Sequence, residues 1–147
     1  LWRLKIRKRF AALVAMSLMS SLFSAQFDPK KYEPVEIEKL KATPEDLKNK
    51  KVTFETVYWR YETTFPPYIE RSGYKAGKDY YLAVDPGNFP VMADKTDEMN
   101  AIIPTLKRGS KIRVYGKVKK FSSPPVETRF PHYFLELDKL EIIEIGD

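Results

Sequence analysis

The sequence predicts a mainly β domain: a five-stranded Greek-key barrel with one short helix between its third and fourth strands. Two observations predict this class. Segments rich in β-branched and aromatic residues recur along residues 51–145, separated by Gly- and Pro-containing turns. A helical pattern occupies residues 94–106, between the third and fourth of these segments. The chain has 147 residues, which is enough for one such domain.

Residues 1–25 precede this domain and have the layout of a secretory signal peptide. Residues 1–10 are basic, and residues 10–25 form an uncharged apolar run of 16 residues that ends in small side chains. Such a run is shorter than the roughly 20 residues that span a bilayer. We predict cleavage after Ala25; an uncleaved N-terminal anchor, which would be the only membrane contact, is the alternative. Both interpretations predict a periplasmic or secreted protein, and the lack of cysteine excludes a lipid-modified one.

The distribution of charge and the counts of cysteine and histidine exclude several kinds of functional site. The net charge is +6, but five of the 26 basic side chains lie in residues 1–25, so residues 26–147 carry 21 basic against 20 acidic residues. A nearly neutral domain is not strongly attracted to polyanions. With no cysteine and one histidine, His132, the chain has no disulfide, zinc–thiolate site or histidine cluster. We predict no catalytic residue, no metal site and no cofactor.

An N-terminal extension is predicted before the barrel. Residues 26–34 are polar, contain two prolines and are interpreted as a linker, so that the domain begins at residue 35. Within residues 35–40, the first four alternate apolar and acidic side chains (Val35, Glu36, Ile37, Glu38), which predicts a short strand. Thr43 as a cap and Pro44 at the first helical position predict a helix of about two turns.

The first three barrel strands follow. Residues 51–62 form one long run without Gly or Pro, and its apolar side chains change parity along the run, which predicts a β-bulge. Residues 79–84 and 89–93 are two shorter strands, joined by a turn at residues 85–88 with the sequence Asp-Pro-Gly-Asn.

The helix at residues 94–106 is marked by capping and apolar spacing. Asp94 and Thr96 are candidate caps, and Pro104 is expected to end or tighten the helix. The apolar side chains at helical spacing are Met99, Ile102, Ile103 and Leu106.

Residues 111–119 and 132–145 are the fourth and fifth barrel strands. The former alternates strictly, which predicts one buried and one solvated face, and Gly116 within it indicates a bend or a close backbone approach. In the latter, a register slip is expected near Asp138 and Lys139. Five strands with a helix after the third is the layout of the OB-fold.

Three stretches also resemble a group of exported bacterial OB-fold domain proteins. They are VEIEKLKATPEDLKNKKVTFETVYW, LKRGSKIRVYGKV and HYFLELDKLEII, and with the helix they cover most of residues 35–145. The resemblance implies the fold. Most members of that group have no assigned activity, so it implies no functional residue.

Two loops are the candidate ligand-binding elements, because OB-folds flank their ligands with the loops after the first and fourth strands. Here these loops are residues 63–78 and 121–131, and each holds a Pro-Pro pair flanked by aromatic and basic side chains. The candidate ligand-binding residues are Phe65, Tyr68, Arg71, Tyr74, Lys75, Phe121, Arg129 and Phe130. The alternative is that these aromatic side chains only pack against the ends of the barrel.

A basic face on the fourth strand is a second candidate. It comprises Lys111, Arg113, Lys117, Lys119 and Lys120. Acidic side chains on the fifth strand, Glu136, Asp138 and Glu141, lie within reach across the sheet. We therefore interpret this face as solvated and paired across strands, in preference to a track for phosphates.

These observations favour a non-catalytic, exported binding module that holds an extended protein segment or polymer between its two loops. The alternative is a single-stranded nucleic-acid-binding OB-fold protein, since aromatic side chains beside cations hold single strands. That alternative suits the fold but is not favoured by the nearly neutral charge. A carboxylate-dependent hydrolase is a remote third option, because no spacing singles out a pair of acids.

Overall fold

Six strands form one hydrogen-bonded sheet in the computed structural model, which describes residues 27–85, 87 and 89–147. The strands are β1 (Glu33–Pro34), β2 (Lys51–Glu62), β3 (Asp79–Asp85), β4 (Val91–Asp94), β5 (Ser110–Lys120) and β6 (Tyr133–Glu144). Their order is β1-β2-β3-β4-β6-β5, and β5 also pairs with β2. Strands β2 to β6 therefore close into the predicted five-stranded barrel, in which β4 and β6 run parallel.

Short helices connect the strands. The α-helices are α1 (Ile37–Ala42), α2 (Pro67–Arg71) and α3 (Asp97–Ile102), and the 3₁₀ turns are Pro29–Lys31, Pro44–Leu47 and Ile103–Thr105. Helix α3 lies between β4 and β5, the third and fourth strands of the barrel. The Thr96 hydroxyl caps it by accepting a hydrogen bond of 3.2 Å from the backbone N–H of Met99. Helix α2 lies in the segment 63–78, for which the sequence predicts a loop.

Some predictions concern residues that the structure does not describe. The leader, residues 1–25, lies outside the described residues, and so do Pro86 and Asn88 of the predicted turn. None of the helices in the described part of the chain is long and apolar enough to cross a membrane.

Strand β2 bends where it changes partner. It pairs with β5 from Lys51 to Tyr58 and with β3 from Val57 to Glu62, and the register shifts between Tyr58 and Arg60. The predicted bulge is therefore confirmed. One long strand can serve both neighbours because the extra residue increases its local twist.

Strands β5 and β6 approach closely at Gly116. A Cβ atom built there would overlap the carbonyl oxygen of Glu136 and press on the Leu135 side chain. The register shifts at the same place, so that Tyr115 opposes Lys139 and Gly116 opposes Leu137. Both the close approach at Gly116 and the slip near residue 138 are as predicted.

The main hydrophobic core lies inside the barrel. The inward side chains of β5, namely Ile112, Val114 and Val118, are fully buried. Each such side chain contributes roughly 1.5–3 kcal/mol when it leaves water. The alternation of β5 is thus the pattern of a strand with one face in this core. The opposite face is not wholly solvated as predicted, since Tyr115 is buried against Tyr32.

The N-terminal extension differs from the prediction. Residues 35–40 are not a strand: α1 begins at Ile37, and the strand is β1, which pairs in parallel with Val52 and Thr53 of β2. Four alternating residues are too few to determine the period, and Ile37 and Leu40, three residues apart, both pack on the core.

One further detail of the extension is corrected. The predicted helix after Thr43 is a single 3₁₀ turn, and the Thr43 hydroxyl donates a hydrogen bond to the Lys39 carbonyl instead of capping it. The chain divides into two units, residues 1–31 and 32–147, so the unit with the barrel includes residues 32–34 of the predicted linker. Tyr32 is buried there.

Candidate functional site

Two hydrogen bonds join the two candidate loops. The backbone N–H of Ser123 donates to the Ser72 hydroxyl at 3.0 Å, and the Arg71 Nε donates to the Ser123 hydroxyl at 3.1 Å. Ser72 and Arg71 stand at the end of α2, whereas Ser123 stands in the loop after β5. The fold therefore brings together two loops that are about fifty residues apart in sequence.

The joined loops enclose a cleft of about 290 Å³, which we call the loop cleft. Its lining residues are Pro66, Pro67, Tyr68, Arg71, Pro125, Val126, Glu127 and Phe130. This volume lies at the lower end of the range for small-molecule sites, roughly 300–1,000 Å³. The loop cleft is therefore suited to one planar ring or one short side chain at a time.

Phe130 is the exposed aromatic ring of this cleft. It is 42% exposed, and the Arg129 guanidinium lies 5.0 Å from its ring centroid. The same guanidinium group pairs with the Glu127 carboxylate at 2.6 Å. Because such surface ion pairs contribute only about 0–1 kcal/mol, Arg129 can exchange this partner for another anion.

Three of the candidate aromatic residues, Phe65, Tyr68 and Phe121, are buried. They belong to a second hydrophobic cluster outside the barrel core, in which Phe121 stacks on Phe134 with 4.3 Å between ring centroids. Their rings are thus covered by the protein itself, which is the packing role given above as the alternative. The physical reason is that α2 carries Tyr68 and Ile69 onto the outer face of the sheet.

The other candidate residues also divide into those that lie at the loop cleft and those that do not. The Tyr74 ring is half-buried against Phe134, with 5.2 Å between centroids, and burial raises the pKa of its hydroxyl. Lys75 is exposed, does not line the loop cleft, and donates its backbone N–H to Asp79 at 2.9 Å. Tyr68, Arg71 and Phe130 line the loop cleft, and Arg129 lies beside it.

The outer face of β3 and β4, which OB-folds use for ligands, is covered. Tyr81 of β3 lies 5.8 Å from the Phe65 ring, and Met92 of β4 has no exposed surface. The segment 63–78 thus occupies that face. The ligand-accessible part of the two loops is their outer rim, where the loop cleft opens.

The basic face of β5 is neutralised by acidic neighbours. Lys119 pairs with Glu136 of β6 at 2.7 Å, and Lys111 pairs with Glu144 at 4.0 Å. Arg113 pairs with Glu55 of β2. Pairing across strands is therefore confirmed for Lys111, Arg113 and Lys119, although the partner of Arg113 is on β2. Among the described residues no ion pair involves Lys117 or Lys120, and the predicted partners Asp138 and Glu141 accept hydrogen bonds from tyrosines instead.

Arg71 is a sequence-based candidate, but the two serines that join the loops are not. Ser72 and Ser123 have no distinguishing motif, and their roles depend on the path of both loops. Glu127 also belongs to no recognisable motif, and its position in the loop cleft depends on the path of the loops. Within the described ranges, no group of three or more His, Cys, Asp or Glu side chains is arranged to hold a metal ion.

Comparisons with known proteins show the fold. No protein-family model and no curated protein matches the sequence. Among solved structures, the chain is similar to aspartyl-tRNA synthetase from Entamoeba histolytica, with a TM-score of 0.56, 14% identity and coverage of 79% of this chain and 22% of that one. It is also similar to asparaginyl-tRNA synthetase from Pyrococcus horikoshii in complex with asparaginyl-adenylate, with a TM-score of 0.53, 21% identity and coverage of 78% and 23%.

A third similar structure is asparaginyl-tRNA synthetase from E. histolytica, with a TM-score of 0.52, 10% identity and coverage of 79% of this chain and 24% of that one. The chain thus spans less than a quarter of the length of each enzyme. At these identities the likeness concerns the fold alone. It agrees with the closed barrel described above, which has the strand order of an OB-fold.

Proposed function

We propose that this domain binds single-stranded nucleic acid in the loop cleft. One observation carries the proposal: the two loops with which OB-folds hold oligonucleotides are tied together around a cleft that exposes Phe130, is lined by Arg71 and has Arg129 beside it. An aromatic ring beside cations is the arrangement that holds single strands without sequence preference.

Each group has a distinct part in this proposal. A base stacks on Phe130, which contributes about 1–3 kcal/mol. Arg71 and Arg129 contact the phosphates on either side of that base. Two neutralised phosphates on a single strand correspond to a slope of about −1.4 in a plot of log affinity against log salt concentration. We therefore expect modest affinity with a shallow salt dependence, as the nearly neutral domain requires.

The comparisons support the proposal only through the fold. The three similar enzymes are tRNA synthetases by name. OB-folds as a class bind oligonucleotides and oligosaccharides. This background favours nucleic acid over the exported protein-binding module, and the cleft supplies the chemistry for it.

The test measures the fluorescence anisotropy of a labelled oligothymidylate of about 16 nucleotides, titrated with the full chain at low salt. Phe130→Ala is expected to weaken binding by about 5- to 150-fold, which corresponds to the loss of 1–3 kcal/mol of stacking. Tyr61→Ala is the matched control, since Tyr61 is 43% exposed but lies on β2 and does not line the loop cleft. No binding by the unmodified protein, or equal losses in both variants, would contradict the proposal.

An extended protein segment is the second candidate ligand, and one observation favours it. Val126 is 98% exposed at the rim of a cleft walled by Pro66, Pro67 and Pro125. Apolar and proline-lined grooves are typical of peptide recognition. Val126→Asp is expected to abolish peptide capture from a displayed peptide library. The same change should weaken oligonucleotide binding only modestly, as one more negative charge does. Export to the periplasm or beyond, as predicted from residues 1–25, is part of this second proposal.

A further inference from the structure

A second cleft is lined by the segment 128–133. Its volume is about 360 Å³. One wall is formed by that segment, including Thr128, Arg129 and His132, and the other by Lys41 and Pro44 of the N-terminal extension. Phe130 lines both this cleft and the loop cleft. The two clefts are therefore contiguous through one aromatic ring.

The lining of the second cleft is suited to an anion. Lys41 and Arg129 are both exposed and supply positive charge. None of the described residues that line it is acidic, whereas the loop cleft contains Glu127. An anion that enters the second cleft thus meets Lys41 directly and Arg129 in exchange for its partner Glu127, and no described lining residue of the cleft carries a carboxylate.

A buried nitrogen atom provides an independent observation. The Nε2 atom of His132 is buried and has no hydrogen-bond partner among the described residues. Buried polar atoms in proteins are nearly always paired, and an unpaired one calls for an explanation such as a bound ion or water. His132 is a lining residue of this cleft, so an ion or water held beside its ring would lie at the edge of the cleft.

We propose that the second cleft is a phosphate subsite for the same single strand whose base stacks on Phe130. This inference rests on the proposed function. A strand that crosses Phe130 leaves the loop cleft and enters the second cleft, where Lys41 contacts the next phosphate, beyond the one that Arg129 holds beside Phe130. The N-terminal extension thereby takes part in binding, in addition to the two loops.

The experiment compares two lysines of one helix. Lys41 and Lys39 are both exposed on α1, but only Lys41 lines the second cleft. Binding of labelled oligothymidylates is measured over a series of salt concentrations for the full chain, for Lys41→Gln and for Lys39→Gln. Lys41→Gln is expected to weaken binding and to reduce the magnitude of the salt slope by about 0.7, the contribution of one phosphate contact on a single strand. Lys39→Gln is expected to keep the slope of the unmodified protein.

Each outcome decides between the two proposals. If the unmodified protein and Phe130→Ala behave as proposed but Lys41→Gln and Lys39→Gln have the same slope, the subsite is wrong and the proposed function stands. If the unmodified protein binds no oligonucleotide, both are overturned. Inorganic phosphate is the second probe. If it displaces the oligonucleotide from the unmodified protein but not from Lys41→Gln at equal ionic strength, the strand and free phosphate compete for the same subsite, as proposed. If phosphate binds to the unmodified protein through Lys41 without displacing the oligonucleotide, the cleft is a site for free phosphate and the strand-binding role is overturned.

Discussion

The hydroxyl oxygen of Ser72 accepts a hydrogen bond from the backbone N–H of Ser123, with 3.0 Å between the two atoms. The same hydroxyl donates to the carbonyl oxygen of Tyr68 at 2.8 Å. Ser72 thus links the end of α2 to the loop after β5. Together with the hydrogen bond from Arg71 to Ser123, this link holds the two walls of the loop cleft to each other.

Replacing Ser72 tests this role. Ser72→Ala removes the acceptor for the Ser123 N–H, which is expected to lower the free energy of unfolding by about 1 kcal/mol. Hydrogen exchange should become faster at the Ser123 amide, and oligonucleotide binding should weaken because the walls separate. Ser122→Ala, at an exposed neighbour, is the control. Unchanged exchange at Ser123 in the Ser72 variant would show that the hydrogen bond does not hold the loops.

Glu127 competes with phosphate for Arg129. Glu127→Gln removes the carboxylate that lies 2.6 Å from the Arg129 Nε and also removes a negative charge from the loop cleft. We expect oligonucleotide affinity to increase by a few-fold, since a surface ion pair of about 0–1 kcal/mol no longer has to be broken. The increase is measured by anisotropy at low salt and should shrink as salt is added.

Glu62→Gln is the matched control for this change. Glu62 also pairs with an arginine two residues away, since its Oε1 atom lies 2.9 Å from the Nε of Arg60, but it stands on β2 and does not line the loop cleft. The two variants have the same net charge. An equal rise in affinity for both would attribute the effect to net charge and not to Arg129.

The barrel was predictable because its signals are local. The inward side chains of β5 alternate strictly, and the bulges of β2 and β6 show as parity changes along each strand. The prediction of a strand at residues 35–40 was wrong, because four alternating residues are too few to distinguish the period of a strand from that of a helix. Only the position of Leu40 in the core determines which structure forms there.

The site was predictable in part, since Pro-Pro pairs and aromatic residues mark the two loops. Sequence could not separate Phe130, which is exposed, from Phe121, which is buried. Both are phenylalanines in one loop with similar neighbours. The difference arises because Phe121 faces Phe134 across the sheet, a contact that depends on tertiary structure.

Gly116 is expected to be intolerant of a side chain. In Gly116→Ala, the new methyl group would overlap the Glu136 carbonyl oxygen, which cannot move without separating β5 from β6. We expect a loss of about 1–3 kcal/mol or more in the free energy of unfolding, measured by urea denaturation. Gly77→Ala, where no atom lies within 4 Å of the new group, should be neutral or slightly stabilising. Similar stability of the two variants would refute the close approach.

The start of the barrel unit can be tested by truncation. Tyr32 packs edge-on against Tyr115 with 5.4 Å between centroids, and its hydroxyl donates to Asp138 at 2.8 Å. A chain that begins at Tyr32 should keep the stability of the longer chain. A chain that begins at residue 35 should lose about 3 kcal/mol or more, because it lacks this ring and β1. Equal thermal unfolding midpoints for the two truncated chains would support the start at residue 35 that the sequence predicts.

Asp79 is a buried carboxylate whose charge is only partly compensated. It is 4% exposed and lies opposite Asp94 in the β3–β4 pair. Burial raises its pKa above the ordinary value of 3.8, and a hydrogen bond with Asp94 raises it further, whereas the Lys75 N–H and the charge of Lys78 lower it. The folded state therefore binds the Asp79 proton more tightly than the unfolded state does.

This asymmetry predicts a pH dependence of stability. Because the folded-state pKa is the higher one, the contribution of Asp79 to stability is complete below pH 3.8 and declines as the pH rises from there through the raised pKa. Asp79→Asn keeps an acceptor for the Lys75 N–H but carries no charge, so it should be at least as stable as the unmodified protein at pH 7. Its advantage should disappear toward pH 3. Urea denaturation over this pH range measures the difference, with Asp85→Asn at the exposed end of the same strand as control. A difference that is constant with pH, or that grows as the pH falls, would show that the Asp79 charge is not destabilising in the folded protein.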